Sequence, residues 1–208
     1  MGNVKSATEQ TVELFCGSKP FSQIASALGF FTFTVDADPA HAADLVADIR
    51  SLSANQLPSN PLIIWAAPPD AAAFYDPDSW EKDGSYYPAT PLAEEAIGVW
   101  RATISLISGM KPVWWFIENP KSLLRTMPVN AGFNRGYPTR NRHTIRHDQY
   151  GGNGDSETDV WTNAFWWIPR PTESASNETV LKQRRVPPYV YAEIFEQLEK
   201  YNLAKAEG

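Results

Sequence analysis

Short apolar runs separated by polar turns set the rhythm of the chain. Val12-Glu13-Leu14-Phe15-Cys16, Phe30-Phe31-Thr32-Phe33-Thr34-Val35, Leu62-Ile63-Ile64-Trp65 and Val113-Trp114-Trp115-Phe116-Ile117 are continuous rather than alternating, and rich in β-branched and aromatic residues. That pattern predicts strands buried on both faces, as in a parallel sheet. Between the first two runs, Gly17-Ser18-Lys19-Pro20 reads as a turn and residues 21–28 as a short helix that Gly29 stops. Residues 45–49 lead into a polar loop, and residues 71–90 carry Asp, Pro, Gly, Ser and Tyr without a period, which predicts a long loop. From Pro91 to Ser108, Leu92, Ala96, Val99/Trp100, Ile104 and Ile107 recur at helical spacing. Further on, the pattern predicts a strand at 143–147, a turn-rich polar insertion at 151–157 and another strand region at 161–168. A final helix opens at Pro187-Pro188 and runs to Glu199, with Val190, Ile194, Phe195 and Leu198 as its apolar stripe. Strands alternating with helices predict an α/β sheet covered on both faces.

With 208 residues and 43% apolar content, the chain suits one domain spanning 1–208, with residues 1–10 as a flexible start and 129–185 as an irregular, substrate-side region. A net charge of -6 argues against a strongly basic nucleic-acid surface but leaves room for local basic patches. Cys16 is the only cysteine, which excludes an intrachain disulfide and a four-cysteine zinc site and fits a reducing, cytoplasmic setting. No signal-like core opens the chain and no run reaches the roughly 18 to 20 apolar residues of a membrane span, so a soluble product is expected. Three histidines make no convincing metal set, and no serine sits in a Gly-x-Ser-x-Gly elbow.

Candidate chemistry gathers where strands end. Trp65-Ala66-Ala67-Pro68-Pro69-Asp70 closes an apolar run in a rigid turn carrying an acid, and Phe116-Ile117-Glu118-Asn119-Pro120 repeats strand, acid and proline. Two carboxylates presented at strand ends are a candidate site for proton transfer. The Gly17 turn would let a ligand approach backbone amides, or simply connect strand to helix. Asp36 follows the second strand, where an α/β fold reads the hydroxyls of a ribose. Asp38 is equally a cap for the next segment; Asp48 is a candidate for contacting adenine or an ordinary cap, and Trp65 either reaches the adenine or packs. Arg135, Arg140, Arg142, His143, Arg146 and His147 form the main basic cluster, with Tyr137 and Trp161 as stacking surfaces and Lys182, Arg184 and Arg185 as a second patch. Those groups suit phosphate contacts and stacking, or a solvated face balancing the acidic remainder.

In order, Glu13-Leu14-Phe15-Cys16-Gly17-Ser18-Lys19, Val35-Asp36-Ala37-Asp38-Pro39, Val46-Ala47-Asp48-Ile49, Ile64-Trp65-Ala66-Ala67-Pro68-Pro69, Phe116-Ile117-Glu118-Asn119-Pro120, Gln149-Tyr150-Gly151 and Thr158-Asp159-Val160-Trp161-Thr162-Asn163 resemble small, phage-type DNA cytosine-C5 methyltransferase-like proteins over about residues 12 to 195. The resemblance implies a Rossmann-like, S-adenosylmethionine-dependent methyltransferase fold. It puts Phe15, Gly17 and Lys19 near the methionine part of S-adenosylmethionine, Asp36 on the ribose and Asp48 on the adenine, with Trp65 and Pro68 at the same cofactor. It puts Asn119, Arg140, Arg142, Asp148, Gln149 and Tyr150 on the substrate side.

The departures matter more than the matches. Where the family carries a cysteine that attacks cytosine C6, this chain has Asp70, while Glu118 resembles the acid that binds the ring at N3. Asp148 likewise stands where many relatives have cysteine. A carboxylate replaces a thiolate poorly in that addition, so the expected function is base methylation with a non-standard active site, in which Asp70 accepts a hydrogen bond from an exocyclic amine or takes its proton. The alternative is a catalytically inactive methyltransferase-like binding or regulatory protein. The expected partners are DNA or a nucleotide, with a second copy or another protein supplying target recognition that so short a chain lacks room for. If phage-encoded, the protein would work in the bacterial host cytoplasm.

Overall fold

The computed structural model describes residues 9–81, 86–127, 142–150, 156–170 and 186–206. The expected flexible start (residues 1–8 of it), the basic residues Arg135, Arg140, Lys182, Arg184 and Arg185, and Tyr137 and Gly151 lie outside the described residues.

Alternation along the strands builds two layers. In β1 (Gln10–Leu14), Val12 and Leu14 join one core; in β4 (Ile63–Ala66) and β5 (Trp114–Pro120), Ile64, Ala66, Trp115 and Ile117 join the same one. Ile63, Trp65 and Phe116 point to the opposite core. The first core is covered by α2 (Pro91–Met110), the second by α1 (Pro20–Ala27) and α3 (Pro188–Ala206). With β2 (Phe31–Asp36), β3 (Leu45–Val46), β6 (Arg142–Arg146) and β7 (Glu157–Thr162), the seven-stranded sheet has the order β3-β2-β1-β4-β5-β7-β6. The first five strands are parallel; β7 is antiparallel to β5, and β6 antiparallel to β7, so β7 alone is reversed. The chain leaves β1 toward β2 on one side and returns to β4 on the other, so the loops after β1 and β4 part. That divergence opens a crevice at the carboxyl ends of the strands.

The strand expected at 161–168 is displaced: β7 ends at Thr162, and residues beyond it turn away. The physical reason is that β7 buries polar residues whose partners are distant in sequence. Thr162 donates to the Trp115 carbonyl at 2.7 Å, and Asp159, fully buried, accepts from Thr144 (2.7 Å) and Arg125 (2.8 Å). Trp161, expected as a stacking surface, is instead packed edge-on against Trp100 in the core.

Helix α2 starts at Pro91 behind a Thr90 cap that accepts from the Ala93 amide at 3.2 Å. Its buried stripe runs through Ala93, Ala96, Ile97, Trp100, Thr103 and Ile107, about one residue round from the expected stripe, which leaves Leu92 exposed. Near its end, a Cβ added at Gly109 would lie 2.6 Å from the Ala54 Cβ. Gly109→Ala should therefore destabilise the protein by about 1 kcal/mol, the overpacking cost of about 1 to 3 kcal/mol outweighing a helix-propensity gain of about 1 kcal/mol. Urea denaturation checks this, and a stabilised variant would show that the Ala54 turn yields freely.

Candidate functional site

The loop after β1 is held in an uncommon backbone shape, with Phe15, Gly17 and Lys19 all at positive φ (59°, 50° and 60°). Gly17 uses it to aim its amide at Asp36, whose Oδ2 accepts at 2.8 Å across the β1–β2 loops. Asp36 also accepts from the Asp38 amide at 2.9 Å and faces His41 Nδ1 at 3.1 Å. Burial pushes its carboxyl up, but the Asp38 and Gly17 amides and the His41 ring together hold it below its ordinary value. An ionised carboxylate has about four lone-pair positions, so three donors leave Asp36 capacity to accept one more hydrogen bond.

Neighbouring candidates are committed locally. Lys19 does not line the cavity described below; its ammonium donates to the Ala42 carbonyl at 2.6 Å and ties the two loops together. Asp38 caps the turn Pro39–His41 through the Ala40 amide. Asp48 caps Ile49–Ser51 through the Arg50 amide at 2.8 Å and pairs with the Arg50 guanidinium at 2.6 Å, hydrogen bonds that hold its carboxyl below the usual range.

Glu13 was not legible as a site residue, yet it organises this end of the sheet. Helix α1 has no side-chain cap at Lys19 and a proline first, so the next amides need an acceptor. The buried Glu13 carboxylate supplies it, accepting from Phe21 at 3.3 Å and Ser22 at 2.9 Å. An acid inside an apolar strand just before a helix start was the available signal.

A cavity of about 210 Å³ has Glu13, Phe15, Cys16, Pro68, Asp70 and Glu118 in its wall, while Gly17, Asp36 and Asp48 do not line it. The structure thus brings Asp70, exposed at the end of the β4 turn, and Glu118, buried at the end of β5, to one cavity. Thr158 on β7 donates to Glu118 Oε1 and orients that carboxylate. Asn119, fully buried, donates from Nδ2 to the Pro68 carbonyl at 3.3 Å and so braces the Pro68-Pro69 turn against β5. Trp65 takes the packing role: 1% exposed, it stacks on Phe21 and Phe116 at 6.0 Å and meets Tyr191 edge-on at 4.8 Å.

Three carboxylates line this cavity, and no basic side chain does among the described residues. Such a wall favours a cationic ligand. Cys16 cannot serve as a nucleophile here, because burial, then the charges of Asp36 and Glu13, push its thiol up to about 11. At neutral pH only on the order of one molecule in 10⁴ would carry the thiolate. Iodoacetamide should label Cys16 at least about 100-fold more slowly in the native protein than in urea, since the thiolate is the reactive form. Equal rates would contradict this account of the loop.

Beyond Asp70 and Pro120, which both regions share, lies a wider cleft of about 520 Å³ walled by Tyr75, Lys121, His147, Glu157 and Thr158. Of the expected substrate-side residues that the structure describes, Asn119, Arg142, Asp148, Gln149 and Tyr150, none lines it. Asp148 is exposed and pairs with Arg146 at 2.6 Å, and Gln149 is half-buried beside it. Tyr150 is a core residue under α3, where burial and the adjacent Glu193 carboxylate push its hydroxyl above the usual tyrosine range. Arg142 donates to the Arg125 carbonyl at 3.1 Å and lies 3.9 Å from Asp159. The described part of the basic cluster is therefore compensated: both arginines are paired, and burial holds His143 and His147 below their ordinary pKa.

No protein-family model matches the chain, and no curated protein matches it in sequence. Solved structures do. A protein assigned as a DNA modification methyltransferase encoded within an E. coli prophage aligns with a TM-score of 0.54 at 18% identity, over 74% of this chain and 46% of its own. The Entamoeba histolytica methyltransferase EhMeth aligns with a TM-score of 0.55 at 14% identity, over 85% of this chain and 57% of its own. The chain spans about half the length of these structures. At such identities the likeness is one of fold, and the fold is the Rossmann-like architecture of S-adenosylmethionine-dependent methyltransferases.

Proposed function

We propose that this protein is an S-adenosylmethionine-dependent nucleic-acid base methyltransferase in which Asp70 acts as a hydrogen-bond acceptor and base toward an exocyclic amine. The observation that carries this reading is the acid-lined cavity at the carboxyl ends of β1, β4 and β5, where Glu13, Asp70 and Glu118 share one wall. S-adenosylmethionine is a sulfonium with an α-ammonium group, and this wall suits both charges. Glu13, Phe15, Gly17 and Pro68 would hold its methionine end, Asp36 a ribose hydroxyl through its remaining lone pair, and Asp48 the adenine rim. When bound, the cofactor supplies a methyl group whose bond to sulfur breaks as a bond to the acceptor nitrogen forms, leaving S-adenosylhomocysteine.

The chain's own residues supply the rest. The Pro68-Pro69 turn, braced by Asn119, fixes Asp70 at the cavity wall. Asp70 accepts a hydrogen bond from the amine, aligns its lone pair, and takes the proton the nitrogen gives up. Glu118, oriented by Thr158, holds the ring beside it. A nucleic-acid acceptor is supported by the name given to the prophage protein, a DNA modification methyltransferase. A second reading, a methyltransferase-like binding protein without turnover, draws on one observation: Asp70 offers no sulfur, and Cys16 is held as a thiol.

Titration calorimetry with S-adenosylmethionine and S-adenosylhomocysteine tests the cofactor part of the proposal. Binding in the micromolar range, about -8 kcal/mol, is expected for both; a folded preparation that binds neither refutes it.

A further inference from the structure

The two oxygens of Asp36 are engaged unequally. Oδ1 accepts from the Asp38 amide at 2.9 Å and lies 3.1 Å from His41 Nδ1, whereas Oδ2 has one donor among the described residues, the Gly17 amide at 2.8 Å. His41 Nδ1 is shielded from solvent and makes no hydrogen bond elsewhere among the described residues, so Asp36 is the acceptor its N–H can reach. A carboxylate oxygen offers about two lone pairs, which leaves Oδ1 filled and Oδ2 half filled. We propose that His41 is a positioning residue that sets the specificity of the nucleoside site: by occupying Oδ1 it limits Asp36 to one ribose hydroxyl, so the site reads one member of the cis-diol and ignores the other. The inference rests on the methyltransferase reading and adds to it which part of the cofactor's sugar is recognised.

Local structure holds the ring where this needs it. His41 closes the turn Pro39–His41, in which Asp38 accepts from the Ala40 amide at 2.9 Å and the His41 amide donates to the Asp38 carbonyl at 3.1 Å. The next residue is tied as well, since the Ala42 carbonyl accepts from Lys19 Nζ at 2.6 Å. The turn is therefore fixed on both flanks of the imidazole. The Asp36 side chain keeps 13% of its surface and that of His41 36%, so the couple stays within reach of a ligand. Burial pushes the Asp36 carboxyl up, but the two amides and His41 together hold it below its ordinary value, so Asp36 accepts and does not donate. A carboxylate free on both oxygens can take one hydroxyl of a cis-diol on each and loses affinity when either is removed. With Oδ1 occupied, the second hydroxyl keeps its water on binding, and its removal costs little.

Titration calorimetry of the full chain tests this with S-adenosylhomocysteine and its 2′-deoxy and 3′-deoxy forms, and with adenosine carrying the same two deletions. Wild type should bind one deoxy form of S-adenosylhomocysteine at least about tenfold more weakly than the parent, as expected for a lost hydrogen bond to a charged group, and the other within about twofold. His41→Ala frees both the lone pair and the space beside Oδ1, so each deletion should then weaken binding by at least about fivefold. His41→Asn, whose side-chain amide can present a donor close to the place of Nδ1, should keep the wild-type asymmetry. Should a variant fail to fold, the wild-type series decides by itself whether one hydroxyl or two are read. Equal effects of the two deletions in wild type, or an asymmetry unchanged in His41→Ala, overturn the inference even when S-adenosylhomocysteine binds. The asymmetric pattern with adenosine, in a protein that binds S-adenosylhomocysteine no more tightly than adenosine, supports the inference and refutes the methyltransferase reading. A protein that binds none of these ligands refutes both.

Discussion

Replacing Asp70 with asparagine is expected to slow methyl transfer by about 10²- to 10⁴-fold, the usual worth of a positioned general base. Asparagine keeps the size of the side chain and one accepting oxygen, but it can neither take the amine proton nor offset charge on the nitrogen. Because Asp70 is exposed at the turn, the same change should leave stability within about 0.5 kcal/mol. Single-turnover rates with labelled S-adenosylmethionine, read beside thermal melts, separate the two effects. A variant that transfers methyl groups at the wild-type rate would remove Asp70 from the chemistry.

Trp65→Ala should carry the largest stability cost among single changes near the site. Trp65 fills the space between Phe21, Phe116 and Tyr191 beneath the acid-lined cavity, and its loss leaves a void that those rings close only in part. Large-to-small changes of this kind cost about 3 to 5 kcal/mol, a large share of a typical total of about 5 to 15 kcal/mol. A fall in melting temperature on the order of 10 °C follows for a chain of this length. Trp65→Phe should recover more than half of it. A loss under about 1 kcal/mol for the alanine variant would show that the stack is not tightly packed.

The sheet's parallel half was legible because its strands are uniformly apolar: β1, β2, β4 and β5 appear within two residues of their expected starts, and α1 and α2 near their expected bounds, while α3 opens at its expected proline but runs on to Ala206, past the expected end at Glu199. The antiparallel part was obscured by chemistry that local pattern cannot carry. Thr158, Asp159 and Thr162 are polar yet buried, hydrogen-bonded to Glu118, Arg125 and Trp115, which are distant in sequence, so β7 does not look like a core strand. Trp166 and Trp167 drew the expected strand toward them, although Trp166 packs edge-on against Trp114 outside any strand. At the site, the acids that end strands were legible from position alone, whereas Glu13 and His147 were not. Glu13 sits inside a run that reads as core, and His147 inside a cluster that reads as basic until its burial and its neighbours' pairing with Asp148 and Asp159 are seen.

Mass spectrometry of nucleosides, after incubating the protein with methyl-labelled S-adenosylmethionine and mixed DNA and RNA, reports turnover and the modified atom together. The account expects label on an exocyclic nitrogen, as N4-methylcytosine or N6-methyladenine, lost in Asp70→Ala. Label found as 5-methylcytosine and unchanged by Asp70→Ala, or no labelled nucleoside from any substrate, would contradict it.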